Sequence, residues 1–498
     1  MTRNPFRVFV SVVFVSVVAF IVPASPAGRS DLADAAQRRD IAAVRVLVRA
    51  HADVNAKQGD GATALQWAAH WDDLDTADLL IRAGADVKAA NDYGVTPLAL
   101  ACTNRSMAFV DKLLAARANP NAAQITGVTP LMECARTGAT DAVKSLLAKG
   151  ASVAVTHTRS GQTALMWAIE GGHADVVSLL IEHGADVRTP SKGGFTPLMF
   201  AARSGDRDSA RLLLDAGANV DAGTRDAGPP LVVAAASGHE ALAIFLLERG
   251  ANPNAADGNG ITALHNAAQR GLTSLVGTRY DDSYRVQPPN MLQLTKALLA
   301  RGANPNARIA ANDPRGPDGT PFTMKDATPF FLAAVSGDAA LMRLLGAGGA
   351  DARLTAENDV TPLIAAARSA CTGSCEFKAS GANLELDPAT EHAALEAVKA
   401  ALEFGADVRA ADQDGYTALH MAAFTGAASI VKFLVDRGAS IDARNKLGET
   451  PWSMAAGMSP VLRYRGQYGS HDSTAKLLLS LGAKPFTQDE LDARAAAR

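Results

Sequence analysis

Histidine, cysteine and carboxylate side chains are where this chain would do chemistry, and their spacing equips them for little of it. The ten histidines are scattered. There is no HExxH to hold a metal on one helix face, no GxSxG turn to project a nucleophile, no glycine-rich phosphate loop and no CxxC pair. Of the four cysteines, Cys371 and Cys375 stand four apart in a Gly- and Ser-containing stretch, where an oxidising compartment would let them close a local disulfide or leave them as thiols. Cys102 and Cys134 sit among small apolar residues and are expected to be buried free thiols. Asp281, Asp282, Glu376 and His471 would gather around a metal only if the segments carrying them converged, which nothing in their spacing demands. The expectation is a chain with no catalytic residue, no cofactor and no metal.

The elements that must position these residues recur. GYTALHMAAFTG from Gly415 is written again as GVTPLALACTN from Gly94, GVTPLMECARTG from Gly127, GFTPLMFAARSG from Gly194 and GITALHNAAQRG from Gly260. A second half follows, as LLIRAGADV ending at Val87, LLIEHGADV at Val187, LLLDAGANV at Val220 and LLERGANPN at Asn254. Unit starts fall at Thr63, Thr96, Thr129, Thr163, Thr196, Pro229, Thr262, Thr328, Thr361, Thr417 and Thr450, mostly 33 residues apart. The Thr hydroxyl caps a first helix, and the Pro that often follows lies where no amide hydrogen is missed. A core Leu and a pair of small residues come next, and a Gly such as Gly84, Gly184 or Gly250 supplies the left-handed stop after the second helix. Pro229 cannot cap, so its unit should have the weakest helix start.

These residues resemble the ankyrin repeat, whose consensus runs GxTPLHxAAxxGH and, after a second helix, LLxxGAxxN. The resemblance implies an all-α repeat solenoid of stacked helix-turn-helix units with projecting β-hairpin fingers. It also implies a structural role for His265 and His420 at the TALH site, and for His173 and His239 after the turn Gly. The organisation is then a capping repeat over 28–60, about eleven repeats over 61–485 and a capping tail over 486–498.

The repeats are interrupted near 272–290, 308–325, 370–390 and 458–471. Three of these breaks, in alternate repeats, fall between the two helices, at the end opposite the fingers. Four of the six tyrosines, Tyr280, Tyr284, Tyr464 and Tyr468, lie in two of them, as RYDDSYR and RYRGQYG. Long loops within compact folds are often functional, and these tyrosines either contact a partner or anchor the loops.

At the N-terminus, Arg3 and Arg7 precede an uncharged run from Val8 to Val22 and then Pro23, Ala24, Ser25, Pro26 and Ala27. That order reads as a signal peptide over 1–27, cleaved after Ala24 or Ala27, with an uncleaved membrane anchor as the alternative. Arg outnumbers Lys and Ala is abundant, as in a high-GC bacterium, so the expected location is the periplasm or the cell exterior. A formal net charge of -3 shows no basic excess of the kind nucleic acid binding requires.

By resemblance, a partner would touch the finger tips and the exposed ends of the first helices, a concave face. The matching positions are Tyr93, Arg159, Lys192, Phe195 and Tyr416 at the fingers, with His70, Trp71, Arg136, Glu170, Arg203, Arg270, Arg368 and Phe424 on the helices. Arg and aromatic side chains are favoured interface anchors, so the partner expected is a protein with an acidic or polar surface, bound by a monomer. The function expected is a non-enzymatic scaffold acting outside the cytoplasm. The alternatives are an accessory or enzyme-like protein with a metal or ligand site at the insertion edge, and a secreted effector that binds a host protein.

Overall fold

The fold is given by a computed structural model, which describes residues 31–273, 291–310, 324–371, 386–458 and 470–490; for 269–273 and 371 only the backbone is described. The chain forms two compact units, Met1–Gln124 and Ile125–Arg498. The described part of each is a stack of helix pairs, an all-α repeat solenoid in which, within each unit, a first helix packs on the first helix of the next repeat. No helix among the described residues is long and apolar enough to cross a membrane.

The repeat at Thr163 shows how the sequence builds one pair. Thr163 is extended, and its hydroxyl accepts from the Met166 amide at 3.4 Å, starting Ala164–Glu170. Leu165, Ala168 and Ile169 are buried. The second helix, Ala174–Glu182, stops at Gly184, whose φ of 84° lets Ala185 N donate back to Leu180 O at 2.9 Å. His51 and Arg117 hold the same left-handed turn without being glycine, a strain of roughly 1 kcal/mol each. The expected core leucines, from Leu65 to Leu419, are all buried; Trp452 is half-buried against Phe486. Of the eleven first helices, only Pro230–Ala236, after Pro229, has no side-chain bond at its N-cap.

The fingers are short turns with minimal pairing. Among the described residues they contain single antiparallel bridges, at Thr156 with Thr163, Thr224 with Gly228, Ala256 with Thr262 and Ala411 with Thr417. Each finger uses its backbone on its own turn and leaves about one bond for its neighbour, too few for a ladder. That bond joins tip to tip: Asp92 N to Asp60 O at 3.0 Å in the first unit, then Thr158 N to Thr126 O at 2.9 Å, Lys192 N to Ser160 O at 2.8 Å and Lys446 N to Asp414 O at 2.8 Å in the second. Finger 217–228 makes no such bond to either neighbour. An asparagine clamp adds to the stack where present: Asn254 Nδ2 donates to Gly302 O at 2.9 Å, and Asn306 Nδ2 to Gly349 O at 3.0 Å.

The interruptions leave the stack intact and are narrower than the sequence suggested. Ile309 and Asp326–Ala327 pair across the second one, with Ile309 N donating to Ala327 O at 3.1 Å. In the third, the second helix begins inside the expected insertion, at Pro388 behind an Asp387 cap, and runs 16 residues to Glu403. His471, placed in the fourth, is instead the N-cap of Asp472–Ser480. Glu391 and Glu240 reach into the following repeat to cap helices that lack side-chain caps of their own: Glu391 Oε1 accepts from Ser429 N at 2.8 Å, and Glu240 Oε1 from Leu294 N at 2.9 Å.

Cys102 and Cys134 are buried as expected, but the free-thiol reading is corrected: both are disulfide-bonded. The side chain of Cys371, and Cys375 entirely, lie outside the described residues, as do Tyr280, Tyr284, Tyr464 and Tyr468.

Candidate protein-binding face

The histidines of the first helices are taken up by the stack. In His265, Nδ1 accepts from the Thr262 backbone N–H at 3.2 Å, so Nε2 carries the proton and points it at Ala307 O, 3.1 Å, and Ala327 O, 3.3 Å. His420 repeats this between Thr417 and Glu449 O at 3.2 Å. Burial pushes the His265 imidazole down to about 4, against an ordinary 6.5, and lowers His420 in the same direction. His173 and His239 lie over Gly138 and Gly205, and each ring bonds the preceding repeat's Arg carbonyl: His173 Nε2 to Arg136 O at 3.1 Å, His239 Nε2 to Arg203 O at 3.0 Å. His471 lies over Gly426 in the same way, which ties up the one member of the suggested metal group that falls among the described residues.

The remaining positions split into those already engaged and those left over. Arg136 is paired with Glu133 at 2.7 Å. Arg203 is paired with Glu170 at 2.6 Å, and its guanidinium stands 4.8 Å from the Phe200 ring and 5.7 Å from that of Phe195. Arg368 covers Phe424, 5.5 Å from the ring. Phe424 and Tyr416 are half-buried, which corrects their reading as exposed contact residues. Tyr416 donates its hydroxyl to the buried carboxylate of Glu449 at 3.1 Å, and burial together with that charge pushes the phenol above its ordinary range. Trp71 is held by the capping repeat, its Nε1 donating to Gln37 O at 3.1 Å and Arg39 lying 5.6 Å from its ring. The Arg270 side chain lies outside the described residues.

Left over are the tips. Tyr93 is 60 % exposed in the first unit, and in the second Ile125 is 69 % and Leu447 50 % exposed. Arg159 is exposed and has no carboxylate partner among the described residues. Lys192 is exposed with its ammonium on Thr158 O at 2.5 Å. Behind these two cations, a polar chain runs from the finger to the helices: His157 Nδ1 to Ser160 Oγ at 2.8 Å, Ser160 to Gln162 at 2.8 Å, Gln162 to Glu170 at 3.0 Å, and Glu170 to Arg203. Sequence reasoning named only the two ends of this set, Arg159 with Lys192 and Glu170 with Arg203. It missed Trp167, whose buried Nε1 has no acceptor. The signal was available, because Trp67 holds the same register nine residues after Gln58, and Trp167 has Thr158 in place of that glutamine.

The geometry agrees with the comparisons. A profile of ankyrin repeats in three copies matches residues 32–124, 72–157, 131–224 and 388–489, and one of ankyrin repeats in many copies matches 231–276. Among the described residues between 276 and 388, where these profiles do not reach, the helices Leu292–Ala300, Pro329–Val335, Ala339–Ala347 and Pro362–Arg368 continue the stack. The chain is 42% identical over 67 residues to Notch-regulated ankyrin repeat-containing protein B of Danio rerio, covering 13% of this chain and 60% of that protein. It is 40% identical over 67 residues to the Notch-regulated ankyrin repeat-containing protein of Homo sapiens, 13% of this chain and 59% of that one. With protein phosphatase 1 regulatory subunit 27 of Homo sapiens it shares 40% identity over 57 residues, 11% of this chain and 37% of the relative. The chain thus spans 60% or less of the length of each of these relatives, all of them eukaryotic. With profile matches across more than half its length and the repeat's helix pairs, Thr caps and histidine clamps in place, the chain belongs to the ankyrin repeat family.

Proposed function

We propose that the chain is a non-enzymatic scaffold that holds a protein partner on its finger tips and first-helix ends, and that it is exported by a bacterium to work in the periplasm or outside the cell. The observation that carries the binding reading is the division of labour on that face. Histidines, threonines, asparagines and most arginines are committed to the stack, while large side chains at the tips, Tyr93 in the first unit and Ile125 and Leu447 in the second, stand exposed to solvent. Exposed apolar and aromatic groups of this size suit a contact surface. A relative named as a regulatory subunit of protein phosphatase 1 is in keeping with work done by association. An acidic partner fits Arg159 and Lys192 better than Arg136 or Arg203, whose charges Glu133 and Glu170 already meet.

Export is supported by the order of charge, apolar run and small residues up to Ala27, and by the disulfide-bonded state of Cys102 and Cys134, which suits an oxidising compartment. Capture from periplasmic extract tests the scaffold, comparing wild type with a combined Tyr93→Ser, Ile125→Ser, Leu447→Ser variant. The variant should lose the captured proteins; an unchanged set would remove this face from the function. Mass spectrometry of the periplasmic protein should find a chain beginning at Ser25 or Gly28, with Cys102 and Cys134 resistant to alkylation in non-reducing denaturant. A cytoplasmic chain that keeps Met1 would overturn export.

A further inference from the structure

Trp67 and Trp167 occupy the same place in their repeats, four residues after the capping Thr. Trp67 Nε1 donates to Gln58 Oε1 at 2.6 Å. In the repeat at Thr163 the glutamine's place on the finger is held by Thr158, whose hydroxyl is turned away to donate to Thr126 O at 2.7 Å. The nearby amide of Gln162 is committed to Ser160 and Glu170. Trp167 Nε1 therefore remains buried with no acceptor, a state that folded proteins seldom tolerate at a group nothing completes.

The surroundings indicate what would complete it. The same finger carries Arg159, exposed and without a carboxylate partner among the described residues, and the next finger brings Lys192 alongside, its backbone N on Ser160 O at 2.8 Å. Their combined field is felt locally: the His157 imidazole is pushed down first by burial and then by Arg159 and Lys192. An N–H donor beside two cations is a setting for a single negative charge with an oxygen to offer. A multiply charged anion is disfavoured, because Glu170 keeps a carboxylate close by and the chain as a whole is at -3. We propose that Trp167, Arg159 and Lys192 form a docking site for one carboxylate side chain of an acidic peptide segment, which accepts from the indole N–H and lies between the two finger cations.

This rests on the protein-binding reading above and narrows it to one site. Nε1 is out of reach of solvent in the free chain, so docking requires a finger side chain to turn aside. His157 is placed for that: its ring centre stands 6.1 Å from the indole, and its ring is tied only to the neighbouring Ser160.

The test uses the full chain, a labelled peptide of about eight glutamates and a matched lysine peptide. Fluorescence anisotropy at low salt gives affinity, and the indole N–H signals of the four tryptophans are followed by NMR. The glutamate peptide should bind and shift the Trp167 signal downfield. Trp167→Phe, which keeps an aromatic side chain and deletes the donor, should weaken binding about tenfold, the scale of one hydrogen bond to a charged group. The Arg159→Glu, Lys192→Glu double variant, confined to exposed tips, should abolish it, and Trp67→Phe should leave it unchanged. Equal binding of the lysine peptide, an unmoved Trp167 signal, or wild-type affinity in the double variant would overturn the site. Displacement by inorganic phosphate at the same ionic strength would also overturn it, showing a simple anion site. Partner capture that survives the double variant would sink this site and leave the scaffold standing. Capture lost only in the Tyr93, Ile125, Leu447 variant, with peptide binding intact, would separate the two in the other direction.

Discussion

Single side chains set the pH range in which the stack is stable. His265 stays neutral when folded down to about pH 4, whereas in the unfolded chain it takes up a proton near 6.5, so unfolding binds a proton throughout that window. Its contribution is complete above about pH 6.5 and falls as pH drops toward 4, by roughly 3 kcal/mol if His265 acts alone. Gln66 shows how to remove the dependence while keeping the geometry, since its amide accepts from Thr63 N at 2.7 Å and donates to Val95 O at 2.5 Å. His265→Gln should therefore flatten the urea midpoint between pH 6.5 and 4, and an unchanged slope would show that other groups dominate acid unfolding. Glu449 is a second case: it is fully buried, with Oε2 accepting from Tyr416 and Asn445 Nδ2 and Oε1 accepting from nothing. Tyr416→Phe should cost about 1–3 kcal/mol in chemical denaturation, and a double-mutant cycle with Glu449→Gln should show coupling. The role of His265 was legible because type and register repeat together. The role of Tyr416 was not, because its partner sits at the variable position of the next Gly-X-Thr, and exposure there is decided by a neighbour's choice of residue.

At the scale of elements, helix starts were the most readable feature and fingers the least. Thr at the cap and Pro behind it are local signals that need no neighbour, and ten of the eleven starts have the expected side-chain cap, with Pro229 the foreseen exception. Pro229→Thr would gain a cap worth about 0.5–2 kcal/mol and give up the proline's restriction of the unfolded chain, worth about 0.4–1 kcal/mol. The cap is the larger effect, so the melting temperature should rise modestly; a fall would mean that the Pro229–Pro230 backbone matters more than the missing bond. The 16-residue helix Pro388–Glu403 begins within the stretch read as an interruption, because Asp387 caps an early start. The fingers are reduced to single antiparallel bridges, such as Thr156 with Thr163, because each is a tight turn with few residues to pair.

Across the whole chain, cohesion is a sum of neighbour contacts, so its weakest link decides where it opens. In the unit Ile125–Arg498 that link is the finger 217–228, which lacks both tip bonds and leads into the uncapped helix at Pro229. The outer helices still hold there through side chains, with Arg207 and Arg249 at 5.1 and 5.5 Å from the Phe245 ring. Amides of this finger should exchange with deuterium sooner than those of the tied finger leading to Thr417, and slower exchange would remove the idea of a seam. The repeat register carried the reading through the interval between 276 and 388, but the division at Gln124 left no trace in it, because the units on either side repeat the same signals. The asparagine clamp has a further consequence. Asn55 reaches Gly84 across 29 residues of chain, and Asn254 makes the equivalent bond to Gly302 across 48. The contact is indifferent to how much polypeptide lies between its ends. Selection can therefore lengthen the segment between two helices, and try new chemistry in it, while the inherited scaffold keeps its pitch; a lineage built this way has room for novelty that an ordinary globular domain lacks.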